Sequence, residues 1–123
     1  MSRILIVEDS PTQLFTIKKI LLKHGHEILT AENGAEGVEV AKAKLPDLIL
    51  MDVVMPKLNG FQATRIINRD AATSHIPVIL VTTKDQETDK IWGHRQGAKS
   101  YLTKPVDETL LIDTINNLLV NPG

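Results

Sequence analysis

No cysteine occurs in the 123 residues. Disulfides, thiolate metal sites and cysteine nucleophiles are therefore excluded. Excess charge of either sign is also missing. The net charge is −1, with no basic stripe, which argues against a surface built to neutralise nucleic-acid phosphates. The apolar runs are far too short to span a bilayer. The N-terminus passes straight into Ile4-Leu5-Ile6-Val7 without a basic region, a long apolar stretch or a cleavage site, so it does not read as a signal peptide. The four histidines, His24, His26, His75 and His94, lack zinc-ligand spacing and read as surface residues. Internal repeats, linkers and low-complexity segments are absent. The expectation is one cytoplasmic domain over residues 1–123, without an effector domain.

What is present centres on Leu48-Ile49-Leu50-Met51-Asp52. A continuous apolar run between Pro46 and Pro56 predicts a strand buried on both faces, with Asp52 at its carboxyl end. Ile4-Leu5-Ile6-Val7 predicts the first strand, followed by Glu8 and Asp9. Ser10-Pro11-Thr12-Gln13 then opens a helix, with Ser10 as N-cap, Pro11 in the first turn and Gln13 completing a capping box. Leu14, Ile17 and Leu21 share one face of it, and Gly25 ends it.

Residues 27–31 predict a second strand, Asn33-Gly34 a turn, and residues 35–44 an Ala-rich helix stopped by Pro46. A third helix carries Phe61, Ile66 and Ile67. Pro77-Val78-Ile79-Leu80-Val81 is the fourth strand, ending in Thr82-Thr83. Asp85 is the expected cap of a helix running to about Gln96, anchored by little beyond Ile91 and Trp92 and so a candidate for motion or for a partner surface. Ser100-Tyr101-Leu102 is a short fifth strand before Thr103-Lys104-Pro105. Asp107 caps a last helix with Leu111, Ile115 and Leu118 on one face, closed by Asn121-Pro122-Gly123. Five strands alternating with five helices imply an α/β, doubly wound parallel sheet with right-handed crossovers.

In such a sheet the strand ends share one edge, where ligands bind. That edge would carry Glu8, Asp9, Asp52, Thr82 and Lys104. Three carboxylates against one ammonium leave a local charge of −2. Crowded carboxylates repel unless protonated or bridged, and Mg²⁺, a hard cation that takes oxygen ligands, is the natural bridge. The chemistry this predicts is phosphoryl transfer onto Asp52, giving an acyl phosphate. The metal and Lys104 would offset charge on the phosphoryl oxygens, and the Thr82 hydroxyl would bond one of them. Tyr101 could then turn into the space Thr82 vacates. Simple packing in an edge strand is the other reading of Tyr101.

Together these motifs resemble the response-regulator receiver domains of the CheY type over residues 3–119. They are the acid pair Glu8-Asp9, Met51-Asp52 with Met55-Pro56 and Gly60, Thr82, and Lys104-Pro105. The resemblance implies five strands in the order 2-1-3-4-5, with Asp52 as phosphoacceptor for a histidine kinase or its phosphotransfer domain. It implies that Asp9, Asp52 and the backbone carbonyl of Val54 bind Mg²⁺, that Glu8 acts on the metal through water, and that Lys104 contacts the phosphoryl group. Thr82 and Tyr101 become a switch pair, and the Lys104-Pro105 peptide is expected to be cis.

Residues 60–65 and 82–90, with Trp92-Gly93 and Gln96-Gly97-Ala98, are similar to the single-domain receivers of the chemosensory system controlling type IV pili. That narrower likeness implies a large hybrid kinase as donor and twitching motility as the process. Output would come through a downstream protein target bound by a monomer, without membrane insertion. A phosphate sink or a phosphorylation-independent adaptor would carry the same residues. Three positions depart from the usual pattern. Glu8 stands where Asp is common, Thr83 where a smaller residue is frequent, and Val54 offers no polar side chain to hold a water.

A flavodoxin-like cofactor binder shares the architecture. It needs a phosphate-cradling loop after strand one, and here that loop is acidic. An aspartyl metabolic phosphatase usually carries a substrate-selecting cap, and no insertion here could build one.

Overall fold

The computed structural model describes residues 2–120. The expected stop at Asn121-Pro122-Gly123 lies outside them. Five strands alternate with five helices: β1 (Arg3–Val7), α1 (Pro11–Lys23), β2 (Glu27–Ala31), α2 (Gly34–Lys44), β3 (Leu48–Met51), α3 (Gly60–Arg69), β4 (Val78–Thr82), α4 (Glu87–Arg95), β5 (Ser100–Thr103) and α5 (Glu108–Val120). All pairings are parallel, in the order β2-β1-β3-β4-β5. Among the described residues no helix is long and apolar enough to cross a membrane.

Strand alternation sorts the core into two layers. Leu5, Val7, Ile49, Met51, Val78 and Leu80 face Val38 and Ala41 of α2 and Ala63 and Ile67 of α3. Ile4, Ile6, Leu48, Leu50, Ile79 and Val81 face Ile17 and Leu21 of α1 and Leu111 and Ile115 of α5. The three central strands are buried on both faces, which is why they read as unbroken apolar runs. The register sets Val7 opposite Met51 and Met51 opposite Leu80. The strand ends carrying Glu8, Asp52 and Thr82 therefore lie side by side.

Local chemistry corrects several expectations. At α1, Ser10 accepts from the Gln13 amide at 3.4 Å, but the reciprocal half of the capping box is missing. The Ser10 amide instead donates to Glu8 Oε2 at 3.2 Å, and Gln13 Oε1 is buried without a partner. Asn33 does not head a free turn. It caps α2 by accepting from the Glu36 amide at 2.9 Å, and Gly34 is already helical. Strand β4 starts at Val78, because Pro77 has no amide to give and contributes only its carbonyl to the Ile49 amide.

Asp85 does not cap α4. Gln86 occupies that position, without a side-chain bond. Nor are Ile91 and Trp92 anchors, since they are 48% and 49% exposed. The buried residue of α4 is Gly93, which lies so close to Leu80 and the Tyr101 ring that a Cβ would stand 2.7 Å from Leu80 Cδ1. The helix rests on β4 and β5 through the absence of a side chain, and its bulk points outward.

Helices α1 and α5 are tied by Glu108, whose Oε2 accepts from Lys23 Nζ at 3.0 Å and from His24 Nε2 at 3.1 Å. The bonds from His24 and Lys23 hold its carboxyl below the ordinary 4.5. A depressed folded value contributes stability above pH 4.5 and loses it as pH falls through that value. Glu108→Gln should therefore flatten the acid limb of the urea-midpoint profile below pH 4.5. Superimposable wild-type and variant limbs would show the bonds to be energetically idle.

Candidate functional site

Each site residue arrives on a strand end. The Glu8 amide donates to Ala31 O of β2 and the Asp52 amide to Val7 O of β1, both at 3.0 Å. Ladder bonds thus fix the two backbones one residue beyond their strands. The Lys104 amide donates to Thr82 O at 2.8 Å, fixing the β5 end to the β4 end. The Lys104-Pro105 peptide is cis, as the resemblance implied.

Carboxylate oxygens of Glu8, Asp9 and Asp52 all lie within 4.8 Å of one another. Glu8 is 3% and Asp52 8% exposed, while Asp9 is open to solvent. Lys104 Nζ, nearly buried, donates to Glu8 Oε1 at 2.6 Å and lies 3.5 Å from Asp52 Oδ2. Asp52 Oδ1 accepts from the Val53 amide at 2.8 Å. Burial pushes the Glu8 carboxyl above its ordinary value. The Lys104 bond opposes that shift, and the Asp52 charge adds to it. Negative charge is therefore under-compensated here, and the donors are oxygens brought together by three strand ends. That donor set fits a hard divalent cation of the magnesium type, which takes a few carboxylates and keeps its waters.

The Glu8–Lys104 bond is the contact that reading by position missed. Spacing placed both residues at the edge, but whether a side chain 96 positions away bridges to Glu8 depends on reach, which only the fold supplies. The longer glutamate spans to Lys104 while its other oxygen holds the Ser10 amide. Lys104→Ala should remove the counterion of a buried carboxylate and cost about 3–5 kcal/mol in metal-free urea unfolding. A loss below about 0.5 kcal/mol would mean that Glu8 is already neutral.

The structure brings Glu8, Asp9, Asp52 and Lys104 together, while Thr82 and Tyr101 meet through a third residue. Thr82 Oγ1, fully buried, accepts from the Lys84 amide at 3.3 Å, and Tyr101 OH donates to the Lys84 carbonyl at 2.7 Å. Burial, helped by the charges of Asp89, Asp85 and Asp52, pushes the Tyr101 hydroxyl up to about 12, so it stays a donor. The Val54 side chain is 60% exposed. Thr83 is exposed beside Lys104, where both line an open cleft of about 390 Å³ with Gln13, Thr16, Ile17 and Val106.

Two glycines at the first positions of α2 and α3 make close backbone contacts near the site; Gly60 belongs to the receiver motif, whereas Gly34 reads in the sequence only as a turn residue. A Cβ on Gly60 would stand 2.0 Å from Asp52 O, and one on Gly34 would stand 2.2 Å from Leu58 O. The signal was in the sequence as two Asn-Gly pairs, 33–34 and 59–60. In each, a capping asparagine is followed by the poorest non-proline helix former at the first helical position.

Residues 4–116 match the family described as the response regulator receiver domain. The chain is 64% identical to the protein PilH of Pseudomonas aeruginosa over 119 residues, covering 97% of this chain and 98% of that protein. Among solved structures, the receiver domain of a signal transduction histidine kinase from Syntrophus aciditrophicus is 36% identical, with a TM-score of 0.90 over 98% of this chain and 91% of that one. The receiver domain of a sensor histidine kinase from Pseudomonas aeruginosa, with a magnesium ion coordinated in its active site cleft, is 28% identical. Its TM-score is 0.91 over 98% of each chain.

Proposed function

The chain belongs to the response regulator receiver domain family, and on that premise we propose that it accepts a phosphoryl group from a histidine kinase, or that kinase's phosphotransfer domain, onto Asp52. One observation carries the reading: Asp52 sits at a buried edge where two further carboxylates and a lysine converge on it. An Asp52 carboxylate oxygen attacks phosphorus, and an O–P bond forms as the P–N bond to the donor imidazole breaks. The bonding pair stays with that nitrogen, and the product is an acyl phosphate.

Asp9, Asp52 and the backbone carbonyl of Val54 would hold a magnesium ion, with Glu8 acting through water. Such an ion supplies charge neutralisation at the phosphoryl oxygens. Lys104, already beside Asp52, moves from Glu8 toward the added charge. The Thr82 hydroxyl turns from the Lys84 amide to a phosphoryl oxygen. Because Tyr101 is bonded to the other end of the same residue, the loosened Lys84 segment releases the ring, and Tyr101 turns inward. That alters the surface of α4, β5 and α5, where Ile91 and Trp92 are exposed.

The chain acts as a monomeric receiver in the cytoplasm. Its output is binding of a protein target rather than catalysis or nucleic-acid binding. The 64% identity to PilH supports type IV pilus control and twitching motility as the process.

Intact and peptide mass spectrometry after incubation with acetyl phosphate, with and without Mg²⁺, tests the reading. One labile phosphoryl group on Asp52, formed only with the metal, is the expected result. No addition to folded protein, from acetyl phosphate or from a phosphorylated kinase domain, would overturn it. Lys104→Ala should still be phosphorylated, but without the amide-shift changes at Lys84 and Tyr101 that wild type shows by NMR. Wild-type-like changes would remove Lys104 from the relay.

A further inference from the structure

Between Asp52 and α3 the chain makes an exposed loop, with Val54, Pro56 and Lys57 open to solvent. Val53 and Met55 are its buried apolar side chains, and Leu58 and Asn59 are half-buried. Leu58 packs at the edge of the core layer beneath α2 and α3, while Pro56 and Lys57 are exposed, so backbone contacts at the loop's ends share in placing it. At the far end, Asn59 and Gln62 form a reciprocal capping box with bonds of 3.0 and 2.9 Å, and the Gly60 amide donates to Val53 O at 2.9 Å. At the near face stands the first turn of α2, whose Gly34 would put a Cβ 2.2 Å from the Leu58 oxygen, 3.0 Å from its carbonyl carbon and 3.2 Å from its Cβ. Gly34 shows no left-handed φ, so glycine is not needed there for backbone conformation. It is needed for nearness.

We propose that Gly34 is a positioning residue for the phosphoacceptor site. By letting α2 abut the Leu58 peptide it sets the loop that carries the Val53 amide and the Val54 carbonyl. This deepens the phosphoacceptor reading above and rests on it. The transmission path is short. Leu58 cannot retreat freely, because Lys57 before it is already in the left-handed region at φ 68° and Asn59 after it is locked into the cap. A methyl group at position 34 must push the Leu58 peptide by about 1 Å to reach ordinary contact. The Gly60–Val53 bond passes that displacement to the residue bonded to Asp52 Oδ1. A misplacement of this size at a reacting group costs up to about 100-fold in rate.

The test is a double-mutant cycle of Gly34→Ala and Leu58→Gly in the full chain, since the Leu58→Gly change lets the peptide rotate away from the methyl. Two quantities are read: Mg²⁺ affinity, from the amide shifts of Val53, Val54 and Met55, and the phosphorylation rate with acetyl phosphate. With Leu58 present, Gly34→Ala should weaken both about tenfold or more. In the Leu58→Gly background it should change them less than about twofold.

Gly97→Ala is the control for mere destabilisation. Gly97 has φ +107° and would press a Cβ on Asn68, away from the acid cluster, so it should lose stability yet keep wild-type affinity and rate. Equal costs of Gly34→Ala in both backgrounds, or behaviour matching Gly97→Ala, would overturn the proposal. If Gly34→Ala alone does not fold, restoration of folding and Mg²⁺ binding by Leu58→Gly supports the proposal, and no restoration overturns it. A wild type that neither binds Mg²⁺ nor takes up phosphate removes the phosphoacceptor reading itself, and this inference with it. The wild-type arm therefore tells the two failures apart.

Discussion

Asp52→Asn should take up no phosphoryl group from acetyl phosphate or a phosphorylated kinase domain, while unfolding within about 1 kcal/mol of wild type. The amide keeps the size of the carboxylate, and its oxygen can still accept from the Val53 amide as Asp52 Oδ1 does at 2.8 Å. What is lost is the anionic nucleophile. Two electrostatic changes oppose each other in the folded state. The 3.5 Å pairing with Lys104 disappears, but Lys104 keeps its 2.6 Å bond to Glu8. In return, the Asp52 charge no longer helps to push the Glu8 carboxyl upward.

That second change gives the variant a signature besides inactivity. The Glu8 carboxyl, followed by carbon-detected NMR titration, should fall back toward its ordinary value of 4.5 when Asp52 becomes Asn. Burial remains the larger cause of the shift, so the return is partial. Phosphate found on the variant would move the acceptor to another carboxylate, with exposed Asp9 the first to examine. An unmoved Glu8 titration would mean that the two side chains do not sense each other, contrary to their convergence within 4.8 Å.

Glu8, Asp9, Asp52 and Thr82 were legible because each lies at the end of an unbroken apolar run, and a parallel sheet carries every such run to the same side. Lys104 follows the short mixed strand Ser100–Thr103 and was placed by the alternation of strands with helices. The strand order did not come from spacing at all. It came with the family resemblance, and the pairing of β1 with both β2 and β3 bears it out. Where side-chain reach or fine contact decides, the sequence was silent. Periodicity made Ile91 and Trp92 the anchors of α4, but α4 approaches the sheet on Gly93, and a missing side chain has no hydrophobic signal. Asp85 is a better capping residue than Gln86, yet the chain after Thr82 enters the helix one residue later, and intrinsic preference yields to that path. Gln13 was the right residue for a capping box, and the buried Glu8 carboxylate took its donor because an ionised acceptor makes the stronger bond.

Gly60→Ala should be the most damaging single-methyl change near the site, costing about 3 kcal/mol or more in urea unfolding. The added carbon would stand 2.0 Å from Asp52 O, 2.8 Å from Asp52 C and 2.8 Å from Val53 Cα. All three are backbone atoms, so no side chain can rotate out of the way. The Gly60 amide is bonded to Val53 O, so the contact can open only by pulling α3 away from β3 or by displacing the Asp52 peptide itself. In either case the carboxylate leaves its place beside Lys104, and molecules that remain folded should bind Mg²⁺ and accept phosphate poorly. Gly25→Ala separates this from the ordinary cost of a replaced glycine. Gly25 has φ +83° with nothing within 4 Å of its Cβ position, so the substitution carries only left-handed strain, about 1–2 kcal/mol, and should leave Mg²⁺ affinity and phosphorylation intact. Equal destabilisation by the two changes, or a normal site in Gly60→Ala, would mean that the Asp52 peptide yields easily. The loop, rather than the strand, would then set where the nucleophile lies.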